Sequence, residues 1–240
     1  MLIANKMLLI GTIGAFILAV SATLVSDMHG IGDWFISSFQ KANVPLNPTK
    51  PFGAPYLAAG YLGEPLLILS IILFTIGFYG AWLKYHKTIA LLVVIVGALY
   101  VLERVFWAYV TINFSHAIGS SPVIGDYQVL KNAGFLKGLG ALFGGIIGGF
   151  LFSTLITIFF FLINNAYGKI GSLIVVISML VGMPVKILFM NNVSFSFVSI
   201  FLLSMVIKNI GIIFMGLGLF TDVIFHPHCT SVSPSLYRPL

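Results

Sequence analysis

Charge is scarce in this sequence. Only 8% of the 240 residues are Asp, Glu, Lys or Arg, against about 25% in an ordinary soluble domain. A chain so poor in charge cannot cover a soluble particle of this size with polar surface. Acids are the rarer sign, six against twelve Lys and Arg. The surplus cations are scattered, and no run of them is interleaved with aromatics, which argues against nucleic acid as a partner. Cysteine is nearly absent. The lone Cys229 excludes an intrachain disulfide and leaves the redox compartment open. Histidine is missing from the middle of every apolar run: His29, His86, His116, His226 and His228 all fall at or beyond the ends. No intramembrane bis-histidine haem is therefore expected. Also lacking are a nucleophile-and-base pair, paired catalytic acids, a phosphate loop, a dinucleotide fingerprint and any convincing repeat between the halves. Catalysis by this chain alone is disfavoured, and the matched halves common among transporters are not evident.

What the chain has is apolar length. It is 59% hydrophobic, with a mean hydropathy of +1.10. The bilayer is the solvent that suits it, and a span there needs about 20 apolar residues. Six runs satisfy that pattern, over about 6–26, 64–83, 88–112, 138–163, 168–190 and 194–224. The expectation is an all-α, polytopic integral membrane protein with one transmembrane domain over 1–225 and an irregular tail over 226–240. The first run is long for a signal-peptide core. Glu64-Pro65 marks the start of the second, because proline suits a first helical turn and a carboxylate favours a helix N-terminus. Asn164-Asn165 and Asn191-Asn192 read as tight polar turns. The last run is long enough to tilt, or to break near Lys208-Asn209.

Six spans put both termini on one side. Lys6, Lys84, Lys87, Lys169 and Arg238 lie there on short segments, against Lys41, Lys50, Lys131 and Lys137 on longer loops. Positive charge retained inside orients both termini to the cytoplasm. In the first outer loop, Ile31, Trp34, Phe35 and Phe39 share one helical face, which predicts a helix lying in the membrane interface. Pro227, Pro234 and Pro239 keep the tail from forming a stable helix. Tyr237 and Leu240 are its expected docking groups on another subunit.

The stretch GLGALFGGIIGGF, residues 138–150, concentrates glycine where a helix is needed. In lipid the helix penalty of glycine falls, and small residues let helices approach closely. Residues four apart share a face, so Gly140, Gly144 and Gly148 form one line, and Ala141, Gly145, Gly149 and Ser153 the next, continuing to Thr157. The expected packing groove takes a partner helix, with Gly11, Ala15 and Ala19 of the first run one candidate, or another chain, or a flat lipid or quinone tail. The stripe resembles the glycine-rich helices of ATP synthase rotor rings. Those also need a membrane carboxylate, and no acid lies between 138 and 163.

Charges within spans are costly and point to function or fixed pairing. Glu103 and Arg104 are adjacent, turned about 100° apart on a helix, so each needs its own partner. Lys186 follows Pro184, which predicts a kink beside a cation. Glu64 lies at the same level. These four form an expected neutral polar cluster, either a structural ion-pair set or a pocket for protons, a quinone headgroup or a small solute. Lys208 lies deeper, with Asn209 beside it. Asp27, His29 and His116, and the run His226-Pro227-His228-Cys229, hold metal-capable groups, but neither spacing demands a metal.

Beside a membrane enzyme whose lipid-borne cofactor, such as quinone, is framed by Trp107, Tyr109 and His116 near Arg104, two functions compete on this reading. The first is a non-catalytic membrane subunit of a larger complex, such as an energy-converting, quinone-linked oxidoreductase of a respiratory chain, with membrane lipid and other membrane subunits as partners. The second is a small-solute or ion transporter or channel built around Glu64, Glu103, Arg104 and Lys186.

Overall fold

The computed structural model describes residues 2–41, 59–120, 150–191 and 195–225, with side chains over 2–25, 59–109, 150–182, 200 and 203–224. All regular structure among the described residues is helical. Six α-helices follow one another: α1 (Leu2–Lys41), α2 (Glu64–Tyr85), α3 (Thr88–Ser120), α4 (Phe152–Leu162), α5 (Ala166–Asn191) and α6 (Phe195–Phe225). A π-helical turn, Ala59–Gly63, leads into α2, and Pro65 sits in its first turn, where a missing N–H costs nothing.

Among the described residues, four segments are long and apolar enough to cross a membrane: Leu2–Val25, Ala59–Tyr85, Thr88–Tyr109 and Leu203–Ile224. Phe152–Leu162 and Ala166–Gly182 are shorter apolar helices. Large apolar side chains stand on outward faces throughout, among them Ile13, Val20, Leu102, Val105 and Leu203. Such a surface is costly in water and is what lipid requires, consistent with an integral membrane protein.

One expectation changes, and one of two alternatives for the last run falls away. α1 does not stop near residue 26 to give way to a separate interfacial helix. It runs unbroken to Lys41, about 60 Å at 1.5 Å per residue. α6 likewise passes through Lys208-Asn209 without a break. Asn209 donates its side-chain amide to Thr23 of α1 instead of competing for α6 backbone. α5 also continues past Pro184 to Asn191.

Each helix packs against the next in chain order, and α6 returns to α1, so the six close a ring. Glycine sets the tightest seams. A Cβ on Gly11 would lie 2.4 Å from the Cα of Gly77, so α1 and α2 touch backbone to backbone. At the α5–α6 seam, a Cβ on Gly171 would lie 2.5 Å from the carbonyl oxygen of Gly211. The α1 line of small residues is therefore already occupied: Gly11 by α2, and Ala15 by Gly216 of α6, whose own added Cβ would come within 2.8 Å of it. The 140–149 stripe lies outside the described residues.

One end of the ring is closed by short connections. His86 takes the left-handed conformation, φ 51°, and its N–H caps Trp82 O at 2.8 Å. Residues 163–165 join α4 to α5, with Asn164 also left-handed at φ 56°. Asn165 is the N-cap of α5: its Oδ1 accepts from the Gly168 N–H at 2.8 Å. Its amide donates to Gly218 O at 2.9 Å and to Asp222 Oδ1 at 3.1 Å. Lys84 Nζ donates to the Asp222 carbonyl at 2.6 Å, tying α2 to the same point. Above this closure the centre is filled by aromatics. Phe78 packs edge-on against Phe74, Phe159 and Phe160, at 5.1, 5.3 and 6.0 Å between centroids, and all four rings are fully buried.

Candidate functional site

Beyond the phenylalanine floor, in the half of the ring away from the short connections, lies a cavity of about 130 Å³ to which every helix contributes. The helical period explains the lining. Leu18, Ala22 and Val25 of α1 follow the i, i+4, i+7 spacing of one face, as do Lys208, Ile212 and Met215 of α6. α2 supplies Leu67 and Phe74, α4 supplies Phe152, Ser153 and Ile156, and α5 supplies Val175 and Met179. From α3 come Tyr100 and Arg104, one turn apart.

Arg104 is held on one side by Glu64. Its Nε donates to Glu64 Oε2 at 3.1 Å, and its Nη2 pairs with Glu64 Oε1. This two-point geometry matches the planar guanidinium fork to a carboxylate. The Glu64 side chain is 0% exposed and that of Arg104 13%. The guanidinium also lies 5.9 Å from the Trp107 ring, an arrangement favourable for a cation over an aromatic face.

The expected charge cluster is thus partly assembled and partly replaced. Glu64 and Arg104 meet. Glu103 does not join them by hydrogen bonding: both its carboxylate oxygens are enclosed with no hydrogen-bond partner among the described residues. The reason is the one anticipated for neighbours on a helix, since the turn that aims Arg104 at Glu64 aims Glu103 elsewhere. Lys186 lies on α5, but its side chain is outside the described residues. Lys208, expected to lie apart, lines the same cavity as Arg104. Of the groove residues, Gly140, Ala141, Gly144, Gly145, Gly148 and Gly149 lie outside the described residues. Ser153 is buried, lines the cavity and bonds Met179 Sδ at 3.5 Å. Thr157 Oγ1 returns to Ser153 O at 2.8 Å.

Tyr100, Phe152 and Met179 were not singled out from the sequence. Tyr100 had a legible signal, four residues before Arg104 and so on its face. The other two had none, because an apolar residue on a fully apolar helix gives no sign of which side faces inward.

Among the described residues, no three His, Cys, Asp or Glu side chains cluster as metal ligands. His226, His228, Cys229 and the rest of the tail lie outside them. No known protein family matches the chain, and no curated protein or solved structure is significantly similar to it.

Proposed function

We propose that the chain is a six-span integral membrane protein, with both termini cytoplasmic, whose central chamber binds a small solute for transport across the membrane. One observation carries the reading. Arg104 and Lys208 come from α3 and α6, three places apart in the ring, and both line one cavity between the helices. Fixing helices does not require this. Well-packed apolar side chains hold helices together as well as buried ions do, and ionisable groups inside a membrane characteristically line solute and ion paths. The phenylalanine floor closes one end, as a chamber with alternating access requires. Of the features behind a complex-subunit role, the tail over 226–240 and the glycine lines over 140–149 lie outside the described residues, and Lys208 lines the chamber that supports the transport reading.

The α4 and α5 spans complete the count of six, with the apolar residues 138–149 preceding α4 and α5 continuing to Asn191. Two measurements test the proposal. Cys229 is the only thiol, so a membrane-impermeant maleimide should label inside-out vesicles and not intact cells. The reverse pattern overturns the orientation. In proteoliposomes, the wild type should admit small tracers that empty liposomes exclude, and Lys208→Met should reduce that flux. Equal flux with and without protein, across cationic, neutral and anionic tracers, overturns the transport reading.

A further inference from the structure

Glu103 is the acid in the spans that the Glu64–Arg104 pair leaves unused. It lies on the inward stripe of α3. Val93, Val96, Tyr100, Glu103 and Trp107 follow the alternating spacing of three and four that keeps residues on one helix face. Val93, Val96 and Trp107 are buried, and Tyr100 packs against Phe152 of α4, 5.8 Å between ring centroids. Leu102, Val105 and Tyr109 stand on the opposite side and are exposed. The Glu103 side chain is half-buried, and both its carboxylate oxygens are enclosed with no hydrogen-bond partner among the described residues.

Pairing does not account for this acid. Arg104 is the adjacent cation, but its fork is committed to Glu64 at two points, and it acts on Glu103 through space. An ionised carboxylate held out of water with no donor is among the costliest groups to enclose, and the neutral acid costs far less. A proton is the ligand that suits these surroundings, because it removes the charge and needs no cradle of further groups.

The site is linked to the chamber. Arg104, next in the chain, and Tyr100, one turn back, act with Glu103 electrostatically, as does Glu64 on α2. The described part of α4, the other helix packed against α3, carries no titratable group. Tyr100 and Arg104 both line the chamber, so a charge appearing on Glu103 is felt in its wall. Release breaks the O–H bond of Glu103, passes the proton to water and leaves a negative charge beside Arg104. Uptake reverses the step, and no other reactant is needed.

We propose that Glu103 is a proton-binding site behind the chamber wall, and that its proton sets the electrostatic potential met by the solute. The second half rests on the reading of the chamber as a transport site.

The test uses the full chain in proteoliposomes and dicyclohexylcarbodiimide, an apolar reagent that enters membranes and adds to protonated carboxyl groups. At neutral pH, peptide mass spectrometry should find the adduct on Glu103 and not on Glu64, whose carboxylate is paired. Infrared spectra should show a protonated-carboxyl carbonyl band that is missing from Glu103→Gln. Absence of the adduct from Glu103, or a wild-type infrared spectrum identical to that of Glu103→Gln in this region, overturns the proton site. The position of the adduct in the wild type is decisive even if the variant fails to fold. Tracers of fixed charge, tetramethylammonium, mannitol and methanesulfonate, read the coupling. An imposed pH difference should change the wild-type flux of the charged tracers severalfold, and Glu103→Gln should lose that response. Wild-type flux indifferent to pH overturns the link to the chamber and leaves transport standing. An adduct on Glu103 with no flux of any tracer upholds the proton site and overturns transport.

Discussion

Arg104 and Glu64 are forty positions apart in sequence and joined at two points in space, with the carboxylate wholly enclosed. The pair locks α3 to the first turn of α2. It also does something a surface pair would not. By holding the guanidinium from one side, Glu64 fixes the plane in which its remaining N–H groups point, and Arg104 becomes a rigid part of the chamber wall. An arginine held in this way keeps the orientation of its planar fork, whereas a freely rotating lysine has none to keep.

The pairing gives an asymmetry between two glutamates. Glu64→Gln leaves a cation in the wall without its carboxylate, and losing one partner of a buried pair costs about 3–5 kcal/mol. The double change Glu64→Gln with Arg104→Met should recover most of that loss, because neither charge then needs compensation. Glu103→Gln should change stability by under about 1 kcal/mol, since no hydrogen bond of that carboxylate is lost among the described residues. Unfolding in mixed micelles with increasing SDS measures all three. If Glu103→Gln is the more damaging single change, the pairing described here is wrong.

The glycine seams predict position-dependent damage from one added methyl. Gly77→Ala puts a Cβ 2.6 Å from the Cα of Gly11. Backbone cannot step aside without parting the helices, so the expected loss is about 1–3 kcal/mol. Gly182→Ala meets the hydroxyl of Ser204 at 2.9 Å. A rotating side chain yields more easily, and the loss there should be well under that of Gly77→Ala. Thermal denaturation in one detergent compares the two directly, and equal losses would refute the backbone contact.

The parts of this fold legible in the sequence were those written by solvent and by punctuation. Low charge and apolar length located the helices. Glu64-Pro65 marked the start of α2, and Asn164-Asn165 the turn before α5. Which faces turn inward was harder to read. A lipid-facing surface is as apolar as a core, so the alternation that distinguishes inside from outside in water is missing. Polar residues were the exception. Arg104 and Glu64 stood out because charge in a span must be compensated, and that compensation brought them together. Lys208 was placed apart because its depth was judged along the chain, whereas closing the ring brings α6 against α1 and around to the chamber. The packing role of glycine was seen first in the densest stripe. The close contacts among the described residues belong to sparser glycines, Gly11, Gly77, Gly171 and Gly211, whose partners only the ring order reveals.

Asn165 carries two jobs that substitution can separate. Its Oδ1 caps α5, and its amide reaches α6 at Gly218 and Asp222. Asn165→Ser keeps a capping oxygen and loses the amide, for an expected loss of about 1 kcal/mol. Asn165→Ala loses both, at about 1–3 kcal/mol. Asn165→Asp keeps the best kind of cap but sets a second carboxylate against Asp222, so it should be less stable than Asn165→Ser despite the stronger capping group. Stability curves for the three variants at neutral pH establish the order. Asp equal to or better than Ser would mean that the bond to Asp222 contributes nothing.

Phe78 is the residue on which the closed end of the chamber depends. Its ring touches Phe74, Phe159 and Phe160 and is fully buried, so truncation leaves a hole that three neighbouring rings cannot fill without losing their own contacts. Phe78→Ala should cost about 3–5 kcal/mol. Phe78→Leu keeps much of the volume and should cost less than half as much. The two variants also differ in what they do to the barrier. The hole in Phe78→Ala borders Phe74, which lines the chamber, so it extends the chamber into the aromatic floor. In proteoliposomes held well below the unfolding temperature, Phe78→Ala should therefore leak small tracers faster than wild type, and Phe78→Leu should not. Leak rates equal to wild type in a folded Phe78→Ala protein would show that the aromatic floor is packing alone and that the barrier lies elsewhere in the ring.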